Sequence, residues 1–173
     1  PSILDYGTPE QIERYAMPIL RGERAACLGM SEPGAGSDLA SLSTRAELDG
    51  DRWVINGQKV WTSGANYADF CFLVARTDPD VPKHDGLTFF IVDMRSPGID
   101  VRPLVQAQGV AHFNEVFLSD VRIPVANVVG EVGAGWKVTR TTLRSESSMI
   151  SGAGQATGFA AVLNTARRVG RTD

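Results

Sequence analysis

From about Ala25 to Val125, strand-length runs that are apolar or alternate apolar with polar recur between turn residues, which restricts this stretch to an all-β sandwich or barrel. Ala25–Met30 reads as a first strand. Leu42–Leu48 and Trp53–Ile55 flank Asp49-Gly50-Asp51, a hairpin turn in which the glycine supplies positive φ. Asn56-Gly57 reads as a second turn. Phe70–Arg76 and Leu87–Val92 are apolar, β-branched or aromatic, with a polar, proline-containing loop, Thr77–Gly86, between them. Ile99–Pro103 and Glu115–Leu118 follow, and Val121-Arg122-Ile123-Pro124 closes the β region.

Helical signals flank this region. Thr8 can cap a helix, Pro9 suits its first turn and Gln11 completes a capping box. Ile12, Tyr15, Ala16, Ile19 and Leu20 carry the helical period, and Gly22 ends it. After a break at Gly130–Gly135, a long helical pattern runs from roughly Trp136 to Val169. Gly152, Ala153, Gly154, Ala156, Gly158, Ala160 and Ala161 make its second half small-sided, so that another helix can approach closely. Neither helix has a partner in the sequence. The expected division is residues 1–22 as the end of a helical domain, 23–130 as one complete β domain, and 131–173 as the first helix of a truncated helical domain. The fold class is mainly β, an antiparallel barrel or sandwich with one short N-terminal and one long C-terminal helix.

With 173 residues, 43% of them hydrophobic and 21% charged, the composition fits one soluble globular domain, or a domain with pieces of its neighbours. A net charge of −3 and the lack of a basic run give nucleic acid no electrostatic footing. The apolar stretches are of strand length, so no membrane span is expected. Pro1-Ser2-Ile3-Leu4-Asp5 lacks the pattern of a signal peptide, and it lacks an initiator Met, so the expectation is a piece cut from a longer chain. Cys27 and Cys71 sit in apolar strands and read as small buried hydrophobes. His84 lies in a polar loop and His112 precedes a strand. Neither has a second ligand at metal spacing, so no metal site is expected.

Two segments carry chemistry. Met30-Ser31-Glu32-Pro33-Gly34-Ala35-Gly36-Ser37-Asp38 is a tight, small-residue turn with two hydroxyls. Its consecutive N–H groups can cradle phosphate oxygens, and Gly36 permits close backbone approach. On spacing alone, an ordinary hairpin loop is the simpler account. It is not a dinucleotide fingerprint: Leu39 stands where the third glycine belongs, and no βαβ unit surrounds it. In the second segment Trp61 stands at a strand end, where it can pack on a flat cofactor or fill the core. Ser63, two residues on, shares its face. Glu146 belongs to a helix, where a carboxylate ordinarily faces solvent; aimed at a cofactor, it would be a general base.

Together these residues resemble the acyl-CoA dehydrogenase family. Met30–Asp38 is similar to its flavin-loop signature, and Asn56–Ala65 to its second flavin motif. Gly86–Val92, Asn114–Pro124, Gly7–Gln11 and Pro18–Glu23 also match, so the resemblance covers almost the whole chain. It implies FAD as cofactor. Ser31 would hydrogen-bond the pyrimidine side of the flavin with Met30 beside it. Gly36 and Ser37 would meet the pyrophosphate, Ser37 near the CoA portion of the substrate as well. Trp61 would pack on the isoalloxazine, and Ser63, where the family often has Thr, would bond near N5. The implied reaction is α,β-dehydrogenation of an acyl-CoA thioester: a carboxylate takes the α-proton, the β-hydride passes to flavin, and donors to the thioester oxygen stabilise enolate charge. Electrons would leave to an electron-transfer flavoprotein or a similar acceptor. In a minority of the family the base lies on the first helix of the C-terminal domain, the position of Glu146. Ser147 stands where the family commonly has Arg. The resemblance further implies an oligomer, of one chain or with a homologue, in a bacterial cytoplasm or a mitochondrial matrix. Two alternatives share the scaffold, a non-catalytic subunit of a heteromer and an acyl-CoA oxidase. A fragment of this extent is expected to hold FAD weakly or not at all.

Overall fold

The alternating runs form seven strands: β1 (Ala26–Gly29), β2 (Arg45–Asp49), β3 (Arg52–Ser63), β4 (Phe70–Arg76), β5 (Leu87–Asp93), β6 (Ile99–Leu104) and β7 (Phe113–Pro124). The structure, a computed structural model, describes residues 1–153 and 159–170. Helices precede and follow the strands: α1 (Ser2–Tyr6), α2 (Pro9–Gln11), α3 (Met17–Leu20), α4 (Gly135–Ala153) and α5 (Phe159–Arg168). A π-helical turn, Ile12–Ala16, joins α2 to α3.

The sheet runs β1-β4-β2-β3-β7-β6, with β5 on the other side of β4. It is mainly antiparallel, as the turn pattern predicts. β1 and the first residue of β2 instead run parallel to β4, through Ala26–Gly29 against Phe70–Leu73 and Arg45 against Arg76. Both therefore use one edge of β4. Asp49-Gly50-Asp51 is the expected hairpin turn, with Gly50 at φ +62°.

β4 and β5 are apolar along nearly their whole length because both of their faces are covered. Phe90 and Val92 meet Trp53, Ile55, Val116 and Ile123 in the core that the curled strands enclose. Leu87, Phe89 and Ile91 meet Ile3, Tyr15, Val129 and Val138 in a second core under the helices. Cys27 and Cys71 are buried, unlinked neighbours across β1 and β4.

Three local expectations give way. Asn56-Gly57 is not a turn but a bulge inside a continuous β3, where the register to β7 shifts between Ile55 and Gly57. A Cβ on Gly57 would stand 2.7 Å from Thr44 Cα, so a glycine is needed for close approach rather than for reversal. Asn56 instead clasps β7: its amide donates to Asp120 Oδ1 at 3.0 Å and its carbonyl accepts from the Asp120 N–H at 2.9 Å. With Asp120 held at φ +52°, the two short runs expected over Glu115–Pro124 merge into one strand.

The N-terminal segment, expected to lack a helical partner, has one in α4. Ser2 Oγ donates to Val138 O at 3.0 Å and pairs with the Thr142 hydroxyl, which seats α1 on α4. The capping box forms as expected, with Gln11 N–H to Thr8 Oγ1 at 3.2 Å and Thr8 N–H to Gln11 Oε1 at 3.1 Å. Of the predicted long helix, α4 and α5 are helical, and residues 154–158 lie outside the described ones. Among the described residues no helix is long and apolar enough to cross a membrane.

Candidate functional site

Because β1 and β2 share one edge of β4, the chain between them must leave that edge and return to it. This excursion, residues 30–44, contains the small-residue turn. Arg76, at the end of β4, pins its far side: the guanidinium donates to Ala40 O at 2.6 Å and Leu42 O at 3.2 Å, and the Arg76 N–H to Thr44 O at 2.7 Å. At its tip Glu32 and Ala35 exchange backbone hydrogen bonds of 2.9 and 3.1 Å around Pro33-Gly34. Gly36 and Ser37 follow, exposed, and their amides donate to no group among the described residues. Asp38 accepts from Lys83 Nζ and Ser41 Oγ. Those hydrogen bonds, that from Lys83 first, hold its carboxyl below the ordinary carboxylate range and tie the excursion to the Thr77–Gly86 loop.

β3 supplies the facing wall. Its register to β7 shifts a second time between Lys59 and Thr62, and there Trp61 takes φ +60°. A large L-residue seldom occupies this left-handed region, and the conformation persists only where its surroundings impose it. Asn114 Nδ2 donates to Thr62 O at 3.0 Å and braces the bulge from β7. Trp61 is 61% exposed, which excludes the core reading, and its only aromatic neighbour among the described residues is Phe113, edge-on at 5.9 Å.

Beneath both walls lies an ion pair that sequence reasoning missed. Lys59 Nζ approaches Glu32 Oε1 at 2.9 Å, with side-chain exposures of 0% and 4%. Burial pushes the Glu32 carboxyl up. The Lys59 charge and hydrogen bonds from Thr44, Lys59 and Ser43 outweigh burial and bring it to about 2. Burial pulls the Lys59 ammonium below its ordinary value, with Glu32 opposing. Both residues stand inside the two motifs, but no role is assigned to either there; only the folded excursion brings them together.

Helix α4 closes the third side. Gly135 lets it start against β5, where a Cβ would stand 2.6 Å from Thr88 Cα and 2.7 Å from Phe89 N. Trp136, Leu143 and Glu146 then recur along one helical face.

The result is an open cleft of about 520 Å³. Met30, Ser31, Gly36, Ser37, Trp61, Ser63 and Glu146, all singled out in the sequence, line it together. Glu146, exposed on α4, also borders a second, mostly apolar groove of about 350 Å³ between α1, α3 and the sheet, lined by Ile3, Ile19, Leu28 and Phe89 among others. His84 packs on Trp136 at 4.9 Å between ring centres, beside the first cleft rather than in solvent alone.

The donors fit a flat cofactor carrying phosphates. An exposed indole forms one wall, unpartnered amides and hydroxyls form another, and no positive side chain is required where amides can meet an anion.

A sequence model described as the acyl-CoA dehydrogenase middle domain matches residues 27–121. The acyl-CoA dehydrogenase FadE34 of Mycobacterium tuberculosis is 55% identical over 146 residues, which are 84% of this chain and 20% of that protein. Among solved structures, the Tcur3481-Tcur3483 steroid ACAD G363A variant superposes with a TM-score of 0.87 at 42% identity, over 98% of this chain and 45% of that one. The ChsE4-ChsE5 complex from M. tuberculosis gives a TM-score of 0.77 at 44% identity, over 83% and 37%. The chain thus spans between a fifth and somewhat under half of the proteins it matches.

Proposed function

The chain belongs to the acyl-CoA dehydrogenase family, and from that premise we propose that it forms the cofactor-binding part of an FAD-dependent enzyme that oxidises the α,β bond of an acyl-CoA thioester. The observation that carries this reading is the single cleft in which the six cofactor candidates converge with Glu146. Met30 and Ser31 would hold the flavin ring edge, Gly36 and Ser37 the pyrophosphate, Trp61 the ring face and Ser63 the ring near N5. FAD would supply the hydride acceptor. Ser37 would also touch the CoA portion.

Glu146 stands between the cleft and the apolar groove, where a base must stand if cofactor and acyl chain occupy the two. In this role it takes the α-proton of the thioester, and the groove seats the acyl chain out of water. Residues 1–22 and 131–173 are the edges of helical domains on either side of the β domain. The complete enzyme works as an oligomer and passes its electrons to an electron-transfer flavoprotein or similar acceptor. The likeness to a protein named a steroid ACAD puts polycyclic acyl-CoA thioesters first among substrates to test.

The test is anaerobic bleaching of the flavin by acyl-CoA thioesters in the full-length protein. Glu146→Gln should slow bleaching by roughly 10²-fold or more, the usual scale for a lost general base. An unchanged rate would assign the base elsewhere. Likeness to a chain of the ChsE4-ChsE5 complex supports a second reading, a subunit of a heteromer, for which bleaching appears only when a homologous partner is added.

A further inference from the structure

Lys59 and Glu32 lie behind the cleft walls without lining them. Three successive residues of the excursion are nonetheless bonded to two successive residues of β3. Met30 O accepts from Lys59 Nζ at 3.1 Å, Ser31 O from the Val60 N–H at 2.9 Å, and Glu32 Oε1 from Lys59 Nζ at 2.9 Å. The same carboxylate reaches the returning end of the excursion. It accepts from Ser43 N–H at 2.7 Å, Ser43 Oγ at 2.8 Å and Thr44 N–H at 2.9 Å. Trp61, with its left-handed backbone, begins one residue beyond Val60.

We propose that the Lys59–Glu32 ion pair is a positioning couple for the cofactor: it locks both ends of residues 30–44 to the bulged end of β3, so that Ser31 and Trp61 keep one fixed separation across the cleft. The proposal rests on the FAD reading above. A buried ion pair adds little net stability over an apolar pair of the same volume, because desolvation cancels most of the attraction. Here it does what an apolar pair cannot. Its directional bonds fasten where the excursion leaves, where it returns and the strand that presents the indole. Lys59 and Glu32 are positioning residues, since neither touches the cleft.

The experiment uses the full-length protein stripped of flavin, as wild type, Glu32→Gln and the double variant Glu32→Gln/Lys59→Met. Three quantities are read: the melting temperature without FAD, the FAD dissociation constant from quenching of tryptophan fluorescence, and amide hydrogen exchange residue by residue. For the double variant the expectation is a melting temperature within about 5 °C of wild type, with the FAD dissociation constant raised about tenfold or more. Exchange at Ser43, Thr44, Val60 and Trp61 should rise by a similar factor, while exchange at Leu73 and Phe90 in the core stays as it was.

FAD affinity within about twofold of wild type overturns the proposal. So does exchange that rises equally in loop and core, which would make the pair a general structural support. If the double variant does not fold, Glu32→Gln, which keeps the shape of the side chain, is judged by the same two measurements. If wild type itself takes up no FAD, the cofactor reading fails on its own. Exchange then still decides whether the pair fixes the two walls: localised loosening supports that and uniform loosening overturns it.

Discussion

Glu32 shows how one side chain sets a pH limit. Burial raises its proton affinity, but Lys59 and the hydrogen bonds from Thr44 and Ser43 lower it further, so the folded carboxyl titrates at about 2 against an ordinary 4.5. The unfolded state therefore binds the proton more readily, and protonation favours unfolding. The stabilising contribution is complete above about pH 4.5 and is lost as the pH falls toward about 2. Urea denaturation midpoints should decline across that window in the wild type and decline less in Glu32→Gln. Gly57 sets a steric limit nearby. Gly57→Ala drives a methyl into the Thr44 backbone and should cost about 1–3 kcal/mol in the same measurement. Both residues are visible in the sequence, where Gly57 is misread as part of a turn and Glu32 is given no role. Asn-Gly is a strong turn dipeptide, and only the neighbouring strand end at Thr44 turns it into a bulge. A Glu and a Lys 27 positions apart carry no pattern that marks them as a buried pair. The hydroxyls, glycines and indole of the cleft were legible because their chemistry does not depend on finding a distant partner.

At the level of elements, the N-terminal helix stands on its cap. Thr8→Ala removes one reciprocal bond and should destabilise by about 1 kcal/mol. Gln11 does more, because its side-chain amide also donates to Ala126 O at 2.8 Å and Val128 O at 2.7 Å and so fastens the helix to the chain leaving β7. Gln11→Ala should therefore cost more than Thr8→Ala, on the order of 2 kcal/mol, since two part-buried carbonyls lose their donor as well. Paired chemical denaturation curves would show the order. The cap was readable from Thr8-Pro9-Glu10-Gln11, whereas α1 was not. A five-residue helix has too few turns to show a period, and it holds its shape by bonding to α4. The π-helical turn escaped for a similar reason, since its apolar positions still satisfy an α-helical period.

For the molecule as a whole, β5 is the partition between two interiors. Phe89 points into the core beneath the helices and Phe90 into the core inside the curled sheet. Truncating either to Ala should cost about 3–5 kcal/mol. Their effects on hydrogen exchange should differ, with Phe89→Ala loosening α1 and the start of α4, and Phe90→Ala loosening β3 and β7. Equal loosening everywhere would mean that the two interiors act as one. The run Leu87–Val92 announced a buried strand in the sequence, but which side chain serves which core is set by the sheet's curl, a property of strands distant along the chain.

The shared edge of β4 has a consequence in time. Residues 30–44 gain their shape only after β1 has paired with the first half of β4, β2 has reached its last residue, and β3 has brought Lys59 beneath them. All three are non-local events, and pairings of that kind form late because the intervening chain must first be ordered. The wall that carries Gly36 and Ser37 is thus expected to be among the last parts of the domain to mature and among the first to be lost when the sheet frays at that edge.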